Sequence, residues 1–418
     1  MRITADEWRE WILSGIGRLG AEEFPIASAH GRTLAAEVRA RHDLPLWNSS
    51  AMDGYALRSE DAAAAAPGSP RAFAVTGEVL AGSDEDPPIP PGSAVRIMTG
   101  APVPRDADAV VPVERTRGDD PESPWARSEV RLFEPIATGA NIRLRGEDTA
   151  AGAVIAERGD PLTAARLSAL AAAGISEVSV GASPRVAVVV TGAELGDPGT
   201  GLARGRIPES NSILIAGMLR ECGLEPVAVH RSGDDAVAVA ELLDELAPGC
   251  DAIVSTGGIG PGSHDVMRIV LDAEPGVRQV RVAVRPGQPQ CAGRLASGPW
   301  MFALPGNPVA AAVGFELFVR PALLAAQGRR EVRRRRATAV AEVPWRGASG
   351  RLQVLPVTVS GGGSASPDGL LRCRPAVDPR GVSHAVGGHG ATQGYALVGA
   401  ERGDVAAGEQ VDVMLVEP

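Results

Sequence analysis

The sequence predicts a multidomain protein: a central open α/β sheet, a β-rich domain inserted ahead of it, a helical linker unit and a small, barrel-like C-terminal β-domain. Three observations predict this. The 418 residues exceed what one core organises, since domains typically hold 100–150 residues. From Pro184 onward, apolar runs of strand length alternate with helix-length amphipathic segments, in the order a parallel sheet requires. Before and after that stretch, short runs bearing Val, Ile and Leu are divided by Gly, Pro and Asp, as in turn-rich β structure.

Taken in order, Thr4-Ala-Asp-Glu7 reads as a capping box, and Trp8, Trp11, Ile12, Ile16 and Leu19 follow at helical spacing. Residues 1–45 are expected to join 149–183, where Thr163 to Ala173 is a helix stopped by Gly174, in one discontinuous unit. Residues 46–148 form the inserted β-rich domain. Residues 184–328 form the α/β domain, with strands at Arg185–Val190, Glu225–His230, Asp251–Ser255, Val277–Val284 and Trp300–Leu304. Its helices are expected at Glu209–Cys222, Asp234–Leu246, from about Asp265, and at Pro308–Gln327, where Asn307 and Pro308 suit an N-cap and first turn. The run Gly328 to Arg336 marks a boundary, read as a solvated linker or the start of an edge strand in preference to a phosphate clamp. Residues 329–418 then hold strands at Thr338–Val343, Leu352–Val359, Leu370–Arg374, Tyr395–Val398 and Gln410–Val416, with Ser360–Pro367 as a loop.

Composition narrows the function classes. Apolar residues at 44% and charged residues at 22% are ordinary globular usage, and 51 glycines with 34 prolines mean many turns without a fibrous period. A net charge of −10 gives no global attraction to nucleic acid or an anionic membrane, so neither is an expected partner. All 41 basic residues are arginine, which excludes a Schiff-base lysine and a Walker lysine. Cys222, Cys250, Cys291 and Cys373 are widely spaced, without a CxxC, and point away from a disulfide framework or a zinc site toward a reducing compartment. The N-terminus carries acids where a secretory signal needs a basic and then an apolar run. The uncharged stretch Leu295–Phe315 is broken by Pro299, Pro305 and Pro308, so a soluble, cytoplasmic protein is expected.

Ligands of an open α/β sheet collect where strands end and helices begin, because free N–H groups and the helix dipole attract anions there. Three junctions qualify: Val190-Thr-Gly-Ala-Glu-Leu195, Ser255-Thr-Gly-Gly-Ile-Gly-Pro-Gly-Ser-His-Asp265 and Leu304-Pro-Gly-Asn-Pro308. Glu194, Asp234, Asp235 and Asp265 beside them would repel a polyanion unless a cation sits between. Mg²⁺ bridging carboxylates and phosphate oxygens resolves the conflict. Arg285-Pro-Gly-Gln-Pro289 adds a fixed cation suited to an oxyanion.

At these residues the chain resembles the molybdopterin molybdenumtransferases, the MoeA and gephyrin E-domain family. The resemblance is an ordered series: Pro45-Leu-Trp-Asn-Ser-Ser-Ala-Met-Asp-Gly-Tyr-Ala56, then Ile97-Met-Thr-Gly-Ala-Pro-Val-Pro104, Asp108-Ala-Val-Val111 with Glu114, Arg145-Gly-Glu-Asp148, the strand-end loops, and Leu304-Pro-Gly-Asn-Pro-Val309. It implies the molybdopterin-binding fold, an elongated homodimer, and Mg²⁺-dependent insertion of molybdate into adenylated molybdopterin with release of AMP. It further implies Asp53, Thr99, Glu194 and Asp265 as catalytic residues, Asp53 and Thr99 reaching the partner's α/β domain. Substrate binding is expected at Asp148, Thr256, Gly257, Gly258, Gly260, Arg285, Gln288, Pro305, Gly306, Asn307 and Pro308, with Arg351 as a further cation for the oxyanion. The metal is expected on Glu194, Asp234 and Asp265. A molybdopterin adenylyltransferase is a possible partner.

The departures are specific. The family's Lys-Pro-Gly-Lys-Pro loop has Arg285 and Gln288 in place of its lysines, and Ala193 and Ala310 stand where Asp and Ser are usual. Gly260-Pro261 replaces Ser-Val and resembles the loop of the adenylyltransferases. Two other functions are therefore weighed: adenylyl transfer to molybdopterin, and a pterin-binding scaffold or inactive paralogue. AMP release on adding molybdate separates them.

Overall fold

The computed structural model of the chain describes residues 2–201, 203–262, 265–362 and 369–416. Helix Ala5–Gly15 begins with the capping box read from the sequence, Glu7 N donating to Thr4 Oγ1 at 3.1 Å and Thr4 N to Glu7 Oε2 at 2.7 Å. Its location differs from the expectation. Trp8 and Ile12 are buried with Val186, Val188, Trp300 and Phe302, so the helix covers one face of the α/β sheet. Amphipathicity fixed that the stripe is buried, but not against which domain.

The remainder of the N-terminal segment pairs with the segment that follows the insertion. Strand Ala21–Pro25 runs antiparallel to Glu177–Gly181, and Val38–Arg39 to Val154–Ala156. Leu34, Leu162, Leu170, Val178 and Val180 form the small core between them. Between these halves lies a six-stranded sheet in the order 109–112, 54–57, 93–97, 71–79, 129–132, 116–118. Both its faces carry apolar clusters, one around Tyr55, Phe73 and Leu132, the other around Val79, Ile89 and Ile97.

The α/β sheet has the order 228–232, 186–191, 252–256, 300–304, 289–294, 277–281. The first four strands are mutually parallel, 289–294 runs antiparallel to 300–304, and 277–281 runs antiparallel to 289–294 and so in the direction of the first four. Strand Pro289–Arg294 was not expected, because Pro289 and Gly293 in so short a run read as a turn. The expected strand Val277–Val284 divides: Val277–Arg281 closes this sheet, while Val284–Arg285 pairs in parallel with Leu352–Gln353 of the C-terminal sheet. That last sheet runs 284–285, 352–361, 371–375, 336–341, 410–415, 394–398, and pairing of 352–361 with 394–398 closes it on itself. Of the expected loop Ser360–Pro367, Ser360 and Gly361 end the long strand, and residues 363–367 lie outside the described residues.

The helix after Asn307 runs Pro308–Gly314, widens into a π turn at Phe315–Val319, and resumes as Arg320–Ala326. Pro321 supplies the reason, since a proline inside a helix has no N–H to give the ladder. By length and composition Pro308–Ala326 is apolar enough to cross a membrane, and 89% of its apolar window is buried within the fold. The arginine run is only partly solvated, and its last residue, Arg336, opens strand Arg336–Ala341, which is paired on both sides and so is not an edge strand. Arg329 donates to Thr33 Oγ1 at 3.1 Å and Gly31 O at 2.8 Å, Arg330 pairs with Glu157 and Asp160, and Arg334 grips Glu316 with two bonds of 3.0 and 2.9 Å. The overall acidity points to solvation, whereas three of the six guanidiniums, those of Arg329, Arg330 and Arg334, have fixed acceptors on other elements, and Arg333, Arg335 and Arg336 are exposed. All four cysteines are free and buried, and burial pushes the thiols up, to about 11 at Cys222, Cys250 and Cys373 and about 12 at Cys291.

Candidate functional site

At the carboxyl ends of strands 186–191, 252–256 and 300–304 the three predicted junctions meet around a cleft of about 500 Å³. Its lining includes Glu194, Asp234, Thr256, Gly257, Gly258, Gly260, Asp265, Pro305, Gly306, Asn307 and Pro308, all expected from the sequence. Side chains brace the strand ends to one another. Asn211 Nδ2 donates to Thr256 Oγ1 at 3.2 Å and to Gly306 O at 2.7 Å, tying the second loop to the third. Glycine is required at the cleft floor: Gly257 and Gly258 have φ of 94° and 63°, and a Cβ on Gly257 would lie 2.3 Å from Thr191 O.

The acids do different work from that expected. Asp265 starts a helix, Val266–Asp272, but its side chain does not cap it. Both its oxygens turn back to the glycine loop and accept N–H groups, Gly260 on Oδ1 and Gly262 on Oδ2, each at 2.7 Å. Ser263 and His264 of this junction lie outside the described residues. Asp234 Oδ2 accepts from Ala193 N at 3.0 Å and pins the first loop, and Asp235 caps helix Ala236–Leu246. Glu194 is exposed. Among the described residues no group of three or more His, Cys, Asp or Glu side chains is placed to hold a metal. Glu194, Asp234 and Asp265 thus share the cleft without forming a three-carboxylate cage, because two of them are already committed to backbone amides.

Other expected residues lie outside this lining. Asp53 and Thr99 meet in the inserted domain, where Thr99 donates its N–H and its hydroxyl to Asp53 Oδ1, each at 2.7 Å. The backbone bond first, and the hydroxyl second, hold the Asp53 carboxyl below the usual range. Asp148 is exposed at the junction of the insertion, its N–H on Leu44 O at 3.1 Å. Arg285 faces the C-terminal domain and makes long bonds to Pro379 O (3.4 Å) and Arg380 O (3.2 Å). Arg351 lies in its neighbourhood: burial, then the charges of Arg285 and Arg2, push its guanidinium down. Gln288 lines a second concavity of about 620 Å³, which shares Ile259, Gly260 and Pro289 with the main cleft and whose charged walls, among the described residues, are Arg268, Arg278 and Arg281.

Asn211 and Arg268 were not singled out from the sequence. Glu209-Ser-Asn-Ser signals only a helix start, and Arg268 only an exposed helical position. Neither pattern says that the side chain reaches a loop distant along the chain or bends back on its own.

Residues 3–174 match the family described as MoeA N-terminal region (domain I and II), and residues 187–325 the one described as Probable molybdopterin binding domain. Molybdopterin molybdenumtransferase 2 of Mycobacterium tuberculosis (strain ATCC 25618 / H37Rv) is 41% identical over 310 residues, 73% of this chain and 75% of that protein. The chain belongs to the molybdopterin molybdenumtransferase (MoeA) family. A molybdopterin molybdenumtransferase of Staphylococcus aureus (strain MRSA252) is 35% identical over 291 residues, covering 69% of this chain and 68% of its own. The crystal structure of the molybdopterin biosynthesis MoeA protein from Pyrococcus horikoshii OT3 superposes with a TM-score of 0.81 at 25% identity, over 99% of this chain and 100% of that one. The family's architecture therefore extends over the whole chain, C-terminal sheet included.

Proposed function

We propose that the chain is a molybdenum cofactor biosynthesis transferase whose cleft takes adenylated molybdopterin, inserts molybdate and releases AMP with Mg²⁺ present. One observation carries the reading. Three strand-end loops with unpartnered amides converge on a cleft that also presents carboxylates. Among the described residues the N–H groups of Gly258, Ile259, Gly306 and Asn307 have no hydrogen-bond partner, which suits them to phosphate oxygens.

The donor set fits Mg²⁺, which binds one or two carboxylates together with substrate phosphates more often than an all-protein cage. Glu194, exposed, and Asp234, with Oδ1 left after Oδ2 takes the Ala193 amide, would hold it. When bound, the ion neutralises charge on the phosphate released as AMP. The chain's own contribution is placement. The loop amides orient the nucleotide phosphate, while Asn211 sets the spacing between the loops. Asp53, kept ionised by Thr99, acts on the partner subunit's cleft in a homodimer, and Arg285 and Arg351 hold molybdate from the C-terminal side. Molybdenum passes to the two dithiolene sulfurs of the pterin, one molybdate oxygen leaving with the two thiol protons as water, and one water is consumed as the phosphoanhydride is cleaved to the pterin phosphate and AMP.

The test is AMP release from adenylated molybdopterin on adding molybdate, with Mg²⁺ and with chelator. Release that needs both molybdate and the ion is expected. Binding of the pterin nucleotide with no release under any of these conditions would instead make the chain a scaffold.

A further inference from the structure

Four of the six residues from Gly257 to Gly262 are glycine, and only Ile259 and Pro261 bring side chains. Packing holds this segment at one point only, the buried Ile259, and glycine loses more freedom on ordering than any other residue. Beyond Ile259, Gly260 and Gly262 are held by charged side chains. Asp265 accepts the N–H groups of Gly260 and Gly262. Arg268, one helical turn further on, donates Nε to Gly260 O at 3.0 Å and Nη2 to Gly262 O at 2.9 Å. The same two residues are held at both their N–H and their C=O. Arg268 N also bonds Gly258 O at 2.8 Å, and Gln279 Nε2 bonds Arg268 O at 3.1 Å, so the turn that carries the guanidinium is itself anchored.

We propose that Arg268 is a positioning residue for substrate binding: with Asp265 it clasps Gly260 and Gly262 to helix 266–272, presetting the loop before an anionic ligand arrives. The proposal rests on the reading of this cleft as the nucleotide site. Preorganised donors bind without the loss of freedom that a mobile loop would incur. The guanidinium also balances the Asp265 carboxylate, which would otherwise oppose a phosphate on the same loop. Packing does not explain Arg268. The helix is anchored in its core by Val266, Met267 and Leu271, while the Arg268 side chain is 29% exposed and its Nη1 reaches Asp272 only at 3.4 Å.

The test compares the full chain with Arg268→Met and Arg268→Lys, using AMP as the probe. Calorimetry gives affinity, amide exchange by NMR follows residues 258–262, and thermal unfolding reports global stability. In the wild type, AMP should protect the Gly258 and Ile259 amides. In Arg268→Met, exchange at Gly260 and Gly262 should accelerate and AMP affinity fall, each roughly tenfold, the scale of one charge-assisted hydrogen bond. The unfolding midpoint should hardly move. Arg268→Lys should recover part of both losses, since an ammonium can serve one carbonyl, and it carries the test alone if the methionine variant does not fold. Unchanged exchange and affinity would overturn the clasp, as would an affinity loss accompanied by lower global stability with exchange at Gly260 and Gly262 unaltered. AMP that binds the wild type without protecting Gly258 or Ile259 would instead remove the cleft reading on which the clasp depends.

Discussion

At Asp53 one carboxylate oxygen takes both the N–H and the hydroxyl of Thr99, and the group titrates below its ordinary value of 3.8. A depressed carboxyl contributes stability above that ordinary value and loses it as pH falls through the lower folded one, so this contact weakens only below pH 3.8. Thr99→Val keeps the stronger backbone bond and removes the hydroxyl. The Asp53 midpoint should therefore rise yet remain below 3.8, which carboxyl-carbon NMR titration can read. An unmoved midpoint would show that the hydroxyl adds nothing. A second residue-scale prediction concerns Gln288. Burial first, then the charges of Arg285 and Arg2, disfavour the charged form of Arg351, with no carboxylate among the causes, an environment in which an anion would be welcome. A hydrogen bond from a charged donor is about twice as strong as a neutral one, so Gln288→Lys should lower the molybdate concentration for half-maximal AMP release severalfold. Arg285→Gln should nearly abolish molybdate-dependent release while sparing affinity for the pterin nucleotide. Half-saturation unchanged in both variants would take this loop out of the oxyanion site.

At the scale of elements, the helix 308–326 shows how a local irregularity is secured. Its π turn carries Glu316, 3% exposed, which the Arg334 guanidinium grips with both nitrogens of its fork. Removing one partner of a buried pair leaves an uncompensated charge and costs about 3–5 kcal/mol, whereas removing both can be nearly neutral. Arg334→Met should thus destabilise strongly in chemical denaturation followed by tryptophan fluorescence, and adding Glu316→Gln should recover part of the loss. A double variant no better than the single one would mean that Arg334 matters for another contact, such as its bond to Val416 O.

At the scale of the molecule, the residues expected to act together are split between separate units. The cleft belongs to the α/β domain, Asp53 and Thr99 to the inserted sheet, and Arg351 to the C-terminal sheet. A homodimer that juxtaposes one subunit's insertion with the other's cleft makes a direct prediction. Asp53→Ala and Asp265→Asn, each inactive as a homodimer, should regain part of the activity when subunits are exchanged, because one of the two sites in the mixed dimer carries neither change. Exchange demonstrated without recovery would place the whole site within one chain.

The sequence by itself determined the elements whose cause is local. The capping box at Thr4 and Glu7, the apolar run that becomes strand 186–191, strand 300–304 and the glycine turns after three of the four parallel strands were all legible, because periodicity, caps and glycine act within a few residues. Those turns also located the cleft, since strand ends in an α/β sheet are where ligands gather. What only the tertiary structure decided is which partner each group finds. Trp8 and Ile12 announce a buried stripe but not the sheet they cover. Pro289–Arg294 is a strand only because neighbours on both sides supply its ladder. Asp265 at a helix start signals a cap, yet its carboxylate bends back to Gly260 and Gly262, and Arg268 completes the hold from the other side. A pattern along the chain records which residues are buried or charged. The contact that gives a carboxylate or a guanidinium its role is fixed by the three-dimensional path of the backbone, which no spacing in the sequence encodes.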